Sequence, residues 1–564
     1  MRKFSLPVAA LLFFILSMET SYAQWWKEAI VYQIYPRSFK DNDGDGVGDL
    51  KGIISKLDYI KSLGVTVVWL NPIYSSPNDD NGYDVSDYRN IMKEFGTMND
   101  FDALLKGLHA RGIKLVMDLV VNHSSDEHEW FRQSRGSRSS PYRDYYHWWN
   151  VERGAPPYRY SLFDVNHDAW RYDSLTNAYY LHYFSRKQPD LNWENPRLRK
   201  EVYDIMRFWA DKGIDGFRLD AFQFAAKDTT WPVWPQGWEK HFMRYYAMGP
   251  HLHDYLREMN EQVLSRYPVM SVAEGAGNSF ADAHDLVDAD RKELNMAYAF
   301  DAVDIGRSSG YSLLQLKEVF TRWDSAFAEK GWLAIFLANH DQARLVSRFG
   351  NDRGVFRTVS SKMLSTFLLT MRGTPFYYNG DELGMSNPGF TKITDYRDVA
   401  TLNEYRHLES TGGDLGAYLK EIGFSSRDNS RTPMQWDASI HAGFTRGMPW
   451  IGLNPNYSTV NVAAEERDAN SCLNYFRKLT KLRKENPVLV YGKYMLLDKD
   501  NPDVYAYTRE WRGAKWLVLL NFSARVVPLP ASISTTGAKL MINNYPAVGK
   551  EGELRPYEAV VYSF

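Results

Sequence analysis

A single cysteine, Cys472, stands in a chain of 564 residues. No internal disulfide can therefore brace the fold, and stability has to come from burial or a bound metal. Cys472 itself reads as a buried apolar filler. Excess charge is missing as well: 67 Lys and Arg stand against 69 Asp and Glu, a net charge of −2. With no basic tract, nucleic acid is not an expected partner. Long internal repeats and low-complexity tracts are absent. The apolar run Leu6–Ser17 is shorter than the ~20 residues that span a bilayer.

That run follows the charged start Met1-Arg-Lys and precedes Ser21-Tyr-Ala23. A charged start, an apolar core and a small-x-small site form a secretory signal, with cleavage expected after Ala23. No cysteine follows the core, which excludes lipid attachment there. The expected product is exported, periplasmic or secreted, monomeric, and free of the membrane once cleaved. Hydrophobic residues make up 44% and aromatic residues 15% of the chain, with 18 Trp and 37 Tyr. Such rings fill cores, and they also stack on the apolar faces of sugars.

At this length two or three domains are expected. Apolar runs at Ala29–Pro36, Val65–Pro72, Lys114–His123, Gly213–Phe222, Val269–Glu274, Leu294–Phe300, Leu333–Asp341 and Thr374–Tyr378 number eight strand candidates. Helical stretches at Leu50–Leu63, Met98–Arg111 and Leu198–Lys212, each stopped by a glycine, alternate with the early strands. This rhythm predicts an α/β fold, a (β/α)₈ TIM barrel. Residues 24–123 and 198–486 form the barrel, and the polar, aromatic stretch 124–197 is too long for a loop and reads as an inserted domain after the third strand. A second excursion spans about 385–450, and short alternating strands over 487–564 predict a C-terminal antiparallel β-sandwich.

The loop Asp41-Asn-Asp-Gly-Asp-Gly-Val-Gly-Asp49 has the spacing of oxygen ligands for a hard cation. Asp41, Asp43, Asp45 and Asp49 would offer carboxylates and Val47 its carbonyl. Four acids so close repel one another without a cation. Ca²⁺ is expected first and Mg²⁺ second, although no glutamate closes the loop and the flanks are not EF-hand helices.

In a barrel, side chains at the C-terminal strand ends converge. Those ends carry Asn122 and His123, Arg218 and Asp220, Glu274, and Asn339, His340 and Asp341. Arg218 and Asp220 alternate along one strand and so share a face. Each acid alone could be a core ion pair or a helix cap. Three acids from three strands instead fit glycosidic cleavage, which needs a proton donor and a carboxylate nucleophile. Arg218 would keep a neighbouring nucleophile ionised. No Ser/His/Asp elbow competes, and the histidines lack the helical spacing of the common zinc motif.

The segments Asp118-Leu-Val-Val-Asn-His123, Gly216-Phe-Arg-Leu-Asp-Ala221, Val272-Ala-Glu-Gly275 and Leu337-Ala-Asn-His-Asp-Gln342, in this order, resemble the α-amylase superfamily, glycoside hydrolase family 13, and within it the oligo-1,6-glucosidase/α-glucosidase subfamily. The resemblance covers nearly everything after the signal. It implies Asp220 as nucleophile, Glu274 as general acid/base and Asp341 as the stabiliser of the transition state. It implies that Asp80, Tyr83, His123, Arg218, His340 and Arg431 surround a terminal glucose, with Phe163 added by a looser match. Asp80 together with Arg431 would close a blind pocket, so exo action on short oligosaccharides or disaccharides is expected. The Asp41 loop resembles the subfamily's Ca²⁺/Mg²⁺ loop, a structural role.

Ala221, where isomaltase-like members usually carry valine, resembles the α-1,4-preferring glucosidases, and maltose-type linkages are expected. The segment Gly275-Ala-Gly-Asn278 departs from the subfamily and leaves the subsites beyond the bond unassigned. Two other readings share the fold. Sucrose isomerases and trehalose synthases pass the same glucosyl-enzyme to a sugar hydroxyl, but the Arg-Leu-Asp-Arg loop of the former is missing, with Thr321-Arg-Trp-Asp324 nearby. Transporter heavy chains are partners without catalysis; they have a transmembrane helix and lose the carboxylates.

Overall fold

A computed structural model describes residues 24–564 apart from 308, 309, 531 and 548. The expected signal segment lies outside the described residues. Eight parallel strands close a barrel in which every strand pairs with its neighbours in sequence. They are β1 (Val31–Ile34), β2 (Val67–Leu70), β3 (Lys114–Val120), β4 (Gly216–Asp220), β5 (Met270–Ala273), β6 (Met296–Tyr298), β7 (Leu333–Ile335) and β8 (Thr374–Tyr378).

Side chains alternate between two cores, as the period of a strand dictates. Val31, Val67, Trp69, Val116, Val272, Met296 and Phe376 fill the barrel interior. Tyr32, Val68, Leu70, Leu115, Leu119, Phe217 and Leu219 pack outward against the helices. Carried upward, the inward set turns polar: Asp118 lies beside Arg218 and Val120 beside Asp220 in the β3–β4 register. On the other side Val272 lies beside Arg218, and Glu274 N donates to Leu219 O at 3.0 Å. Regular pairing thus sets Glu274 next to Asp220. Inside the barrel Gly216 must be small, because a Cβ there would lie 2.6 Å from Met270 O.

The helix Pro196–Asp211 delivers β4. Asn195 caps it, Pro196 occupies its first turn, and Gly213 ends it at φ +99°, a conformation that costs glycine little. The single helix expected over Leu50–Leu63 is instead two, Leu50–Ile54 and Leu57–Ser62. The Ser55 hydroxyl bonds back to Gly52 O at 2.6 Å, competing with continuation of the helix.

The insertion contains the three-stranded antiparallel sheet of Trp148–Asn150, Ala178–Leu181 and Trp170–Asp173. It packs on the segment after β4 through aromatic rings, with Tyr183 stacked on Tyr246 at 3.8 Å. Much of the aromatic excess is spent here, in packing. Lys227 Nζ lies 3.1 Å from Asp190 and 2.7 Å from Asn122 Oδ1, pinning the insertion to β3. The second excursion supplies the helices Val399–Thr411 and Leu415–Ser425. No described helix is long and apolar enough to cross a membrane.

The C-terminal domain is a five-stranded antiparallel sheet: β9 (Lys493–Leu497), β10 (Val504–Trp511), β11 (Ala514–Asn521), β12 (Lys539–Asn543) and β13 (Ala559–Ser563). Its order is β9-β10-β11-β13-β12. Val504, Ala506, Leu517 and Leu519 on one face meet Val527 and Leu554 of a two-stranded ribbon, which forms the second layer. Tyr505, Tyr507, Val518 and Leu520 on the other face join the main core. Cys472 is buried as expected.

At this seam Arg483 is buried without an acid partner among the described residues. Its guanidinium donates to Leu369 O, Met371 O, Leu489 O and Gly373 O at 2.8, 2.9, 3.1 and 2.6 Å. Arg483→Met strands these carbonyls, and a loss of about 3 kcal/mol is expected in denaturant unfolding. An unchanged midpoint would mean that other donors satisfy them.

Candidate active site

A cavity of about 560 Å³ opens above the C-terminal ends of the barrel strands, between the insertion and the two excursion helices. Its floor carries Asp220, Glu274 and Asp341, and Asp80, Tyr83, His123, Phe163 and Ala221 line it.

Arg218 organises the floor. Its Nη1 donates to Asp118 Oδ1 at 2.8 Å and to Asp220 Oδ1 at 2.6 Å. Its Nη2 lies 2.5 Å from Glu274 Oε1, close enough to attract but out of line for a hydrogen bond. Burial and the charge of Glu274 push the Asp220 carboxyl well above the usual carboxylate range, against the pull of Arg218. The two acids share one guanidinium with Asp118, so negative charge exceeds positive on the floor and Asp220 takes an upward shift. The backbone contributes too. Ala221, at φ 45°, turns its N–H to donate to Glu274 Oε2 at 2.7 Å. A residue other than glycine at positive φ carries strain, and it falls where the chain leaves β4 for the turn at Phe222–Phe224.

Asp341 sits in a different field. Burial would raise its carboxyl, but His340, Arg427 and Arg431 hold it well below the usual range. Burial also drives His340 down to about 3. A neutral imidazole lacks the charge to hold Asp341 low, so the arginines do so. Arg427 Nη1 and Arg431 Nη2 each lie 3.0 Å from Asp341 Oδ1.

At the inner end Arg427 Nη2 donates to Asp80 Oδ1 at 3.1 Å and also bonds Asp398. Gln188 Nε2 donates to Asp80 Oδ2 at 3.1 Å. Burial lifts the Asp80 carboxyl to about 6, with Arg427 and Arg431 opposing. His123 is held neutral, its value lowered to about 3 by burial and by Lys227. Asn122 Nδ2 lies 3.1 Å from His123 Nδ1, and His123 Nε2 lies 3.1 Å from Tyr83 O. Lys227 occupies the amide oxygen of Asn122, so its NH₂ faces the ring at Nδ1. Tyr83 OH bonds His340 Nε2 at 2.7 Å, with the rings stacked at 5° and 5.2 Å. Arg427 lies over Phe163, 4.7 Å from its centroid.

The structure corrects one expectation. Arg431 does not pair with Asp80 or line the cavity; it is fully buried, with Nε donating to His340 O at 3.0 Å. The four-residue offset from Arg427 turns its side chain into the layer behind Asp341, and Arg427 takes the place beside Asp80. Arg218 and His340 likewise stand behind the carboxylates they orient, outside the cavity lining. Asp118, Gln188, Asp398 and Arg427 were not singled out by sequence. Asp118 carried the signal that marks Arg218, a charge at an inward position of an apolar strand; Asp398 and Arg427 lie in irregular chain with no such period.

In the Asp41 loop, carboxylate oxygens of Asp41, Asp43 and Asp49 lie within 4.8 Å of one another. Asp45 is not in this group; its Oδ1 instead accepts from Val47 N at 2.8 Å. Asp41 accepts from Gly44 N and Gly46 N at 2.6 and 2.9 Å, and Asp49 caps the following helix through Gly52 N at 2.7 Å.

The alpha amylase catalytic-domain family matches residues 33–492. The oligo-1,6-glucosidase of Parageobacillus thermoglucosidasius is 51% identical over 95% of this chain and 98% of its own. The trehalose-6-phosphate hydrolase of Bacillus subtilis (strain 168) is 45% identical over 97% and 99%. The crystal structure of isomaltulose synthase from Klebsiella sp. LX3 superimposes with a TM-score of 0.92 at 43% identity, covering 96% of this chain and 100% of that one.

The charge network has a pH signature. An acid lowered in the fold, as Asp341 is, contributes stability above its unfolded value, ~3.9, and loses it as pH falls through the folded one. Arg427→Met removes that contribution and deepens the burial penalty on Asp80. Its cost in urea unfolding is expected to be about 3 kcal/mol at pH 7, to shrink as pH falls through about 6, where Asp80 takes up its proton, and to shrink further below ~3.9, where the Asp341 contribution is lost. A cost independent of pH would show that Arg427 stabilises by packing alone.

Proposed function

The chain belongs to the alpha-amylase catalytic-domain family and is a glycoside hydrolase; on that premise we propose a retaining, exo-acting α-glucosidase that frees terminal glucosyl units from short α-glucosides. The observation that carries this reading is the sharing of Arg218 by Asp220 and Glu274, at 2.6 and 2.5 Å. Retention requires two carboxyls only ~5 Å apart, whereas inversion needs room for a water between them. Two acids held on one guanidinium favour the short spacing.

In this mechanism Asp220 attacks the anomeric carbon while Glu274 gives its proton to the leaving oxygen, and the glycosidic bond breaks to leave a glucosyl ester on Asp220. Glu274 then takes a proton from water, which attacks the same carbon and releases α-glucose. The reaction needs the proton on Glu274 and Asp220 ionised once sugar is bound, and positive charge developing at the anomeric carbon favours ionised Asp220. Asp341, held ionised by two arginines, stabilises that charge. The Asp80–Arg427 pair, with His123 and Gln188, ends the cavity and supports exo action.

Ala221 leaves space beside the nucleophile, the basis for favouring α-1,4 linkages; the oligo-1,6-glucosidase relative makes isomaltose the competing substrate. Transfer to sugar, as in the isomaltulose synthase, is the second reading. Thr321-Arg-Trp-Asp324 gives it no support: the segment lies within the helix Leu313–Ala326, with Asp324 bound to Arg372 at 2.6 Å and away from the cavity. The converging oxygens of Asp41, Asp43 and Asp49 fit a hard divalent cation, Ca²⁺ before Mg²⁺. Held there, it would brace the barrel against residues 444–450 and take no part in the reaction. We keep export by the amino-terminal signal, a monomer and action off the membrane within the same proposal.

Time-resolved NMR with maltose is expected to show α-glucose first and slower release from isomaltose. First-formed β-glucose would overturn retention, and trehalose or another disaccharide as main product would favour transfer. Asp220→Asn and Glu274→Gln are each expected to lower kcat at least about 10³-fold without unfolding the chain. Chelation is expected to lower the unfolding midpoint and Ca²⁺ to restore it, with no response in Asp43→Asn. An unchanged midpoint in the parent protein would remove the metal.

A further inference from the structure

The cavity has two unlike ends. Asp80, Tyr83 and His123 at the inner end are at most 5% exposed, whereas Glu421 and Arg307 at the outer end are exposed. If the glucosyl unit fills the inner end, the leaving group faces the outer one. Charge is as uneven as exposure. Eight acidic residues line the cavity and only two arginines. Arg427 is already engaged by Asp80, Asp341 and Asp398, and Arg307 is paired with Asp304 at 2.8 Å.

At the outer end Asp164 has a distant cation, Arg186, at 3.6 Å. Glu404 faces His167 at 3.3 Å, and Glu421 has no ion-pair partner among the described residues. These two glutamates stand on the two excursion helices, Val399–Thr411 and Leu415–Ser425, which form one wall of the mouth. Walls of one sign focus a field that draws in the opposite charge and repels its own. A phosphate-bearing leaving group needs paired guanidinium or amide donors; at the outer end Arg307 alone among the lining residues is an arginine, and it and the nearby Arg186 each already face an aspartate.

We propose that the leaving-group side selects by charge: it accepts α-glucosides whose aglycone is neutral or carries an amine and rejects those bearing phosphate or carboxylate, with Glu404 and Glu421 as the specificity-determining residues. The proposal rests on the α-glucosidase reading, which fixes the end that holds glucose. It separates this chain from the trehalose-6-phosphate hydrolase to which it is 45% identical, a distinction that identity alone does not make.

Three aryl α-glucosides with para aminomethyl, hydroxymethyl or carboxymethyl groups differ in charge while leaving with similar ease. At low ionic strength kcat/KM is expected to fall in that order, by about tenfold from first to last, and the span should narrow as salt screens it. In the double variant E404Q/E421Q the span is expected to fall to about twofold; each ratio is taken within one protein, so a general loss of activity cancels. Equal values, a span that survives the double substitution, or hydrolysis of trehalose 6-phosphate as fast as trehalose would overturn the proposal. If none of the three aryl glucosides is cleaved, the glucosidase reading fails separately. Calorimetric binding of the same compounds then decides the charge claim, the same order upholding it and equal affinities rejecting it.

Discussion

The floor of the cavity depends on one buried cation. Arg218 is inaccessible to solvent and meets Asp118, Asp220 and Glu274 together. A guanidinium without partners at that depth would be prohibitively costly, and three clustered carboxylates without it would repel and take up protons. Each side therefore makes the other tolerable. Trp69 and Tyr83 complete the arrangement by donating to Asp118 Oδ2, both at 3.1 Å. Asp118 is thus tied to the scaffold, leaving Asp220 and Glu274 to face the cavity.

A second centre of charge stands opposite, with a different outcome. Arg427 and Arg431 converge on Asp341 and Asp398, so positive charge is locally sufficient and both acids are lowered. Around Arg218 the acids outnumber the cation and Asp220 is raised. One cavity thereby holds a carboxyl raised by unbalanced negative charge and another lowered by two arginines. That division is what double displacement requires, since an acid, a nucleophile and a stabilising anion cannot all share one protonation state.

The two centres come from different parts of the chain, and the elements over the mouth join them. Asn403 donates to Phe163 O at 2.8 Å, and His407 Nδ1 lies 2.8 Å from Val165 O. These bonds link the first excursion helix to the insertion across the cavity. The barrel fixes the reacting groups, while the wall that meets the rest of the substrate is built from longer connections. Loop variation on such a constant base lets one barrel serve hydrolases and isomerases alike.

The sequence by itself determined the barrel and most of its floor. Eight apolar runs, four of them closing on charged or histidine residues, are a local pattern; barrel closure brings those strand ends, with Asp220, Glu274 and Asp341, to one rim. The convergence of Asp41, Asp43 and Asp49 rests on short, fixed offsets of the same local kind. Only the tertiary structure decided which arginine meets Asp80. Arg427 and Arg431 lie four residues apart in irregular chain, and no period tells which faces the cavity; contact with Asp398 and Asp341, from two other segments, settles it. The proton balance of the floor was hidden for a like reason. It depends on how many charges share one desolvated space, a sum over distant strands that no local pattern contains.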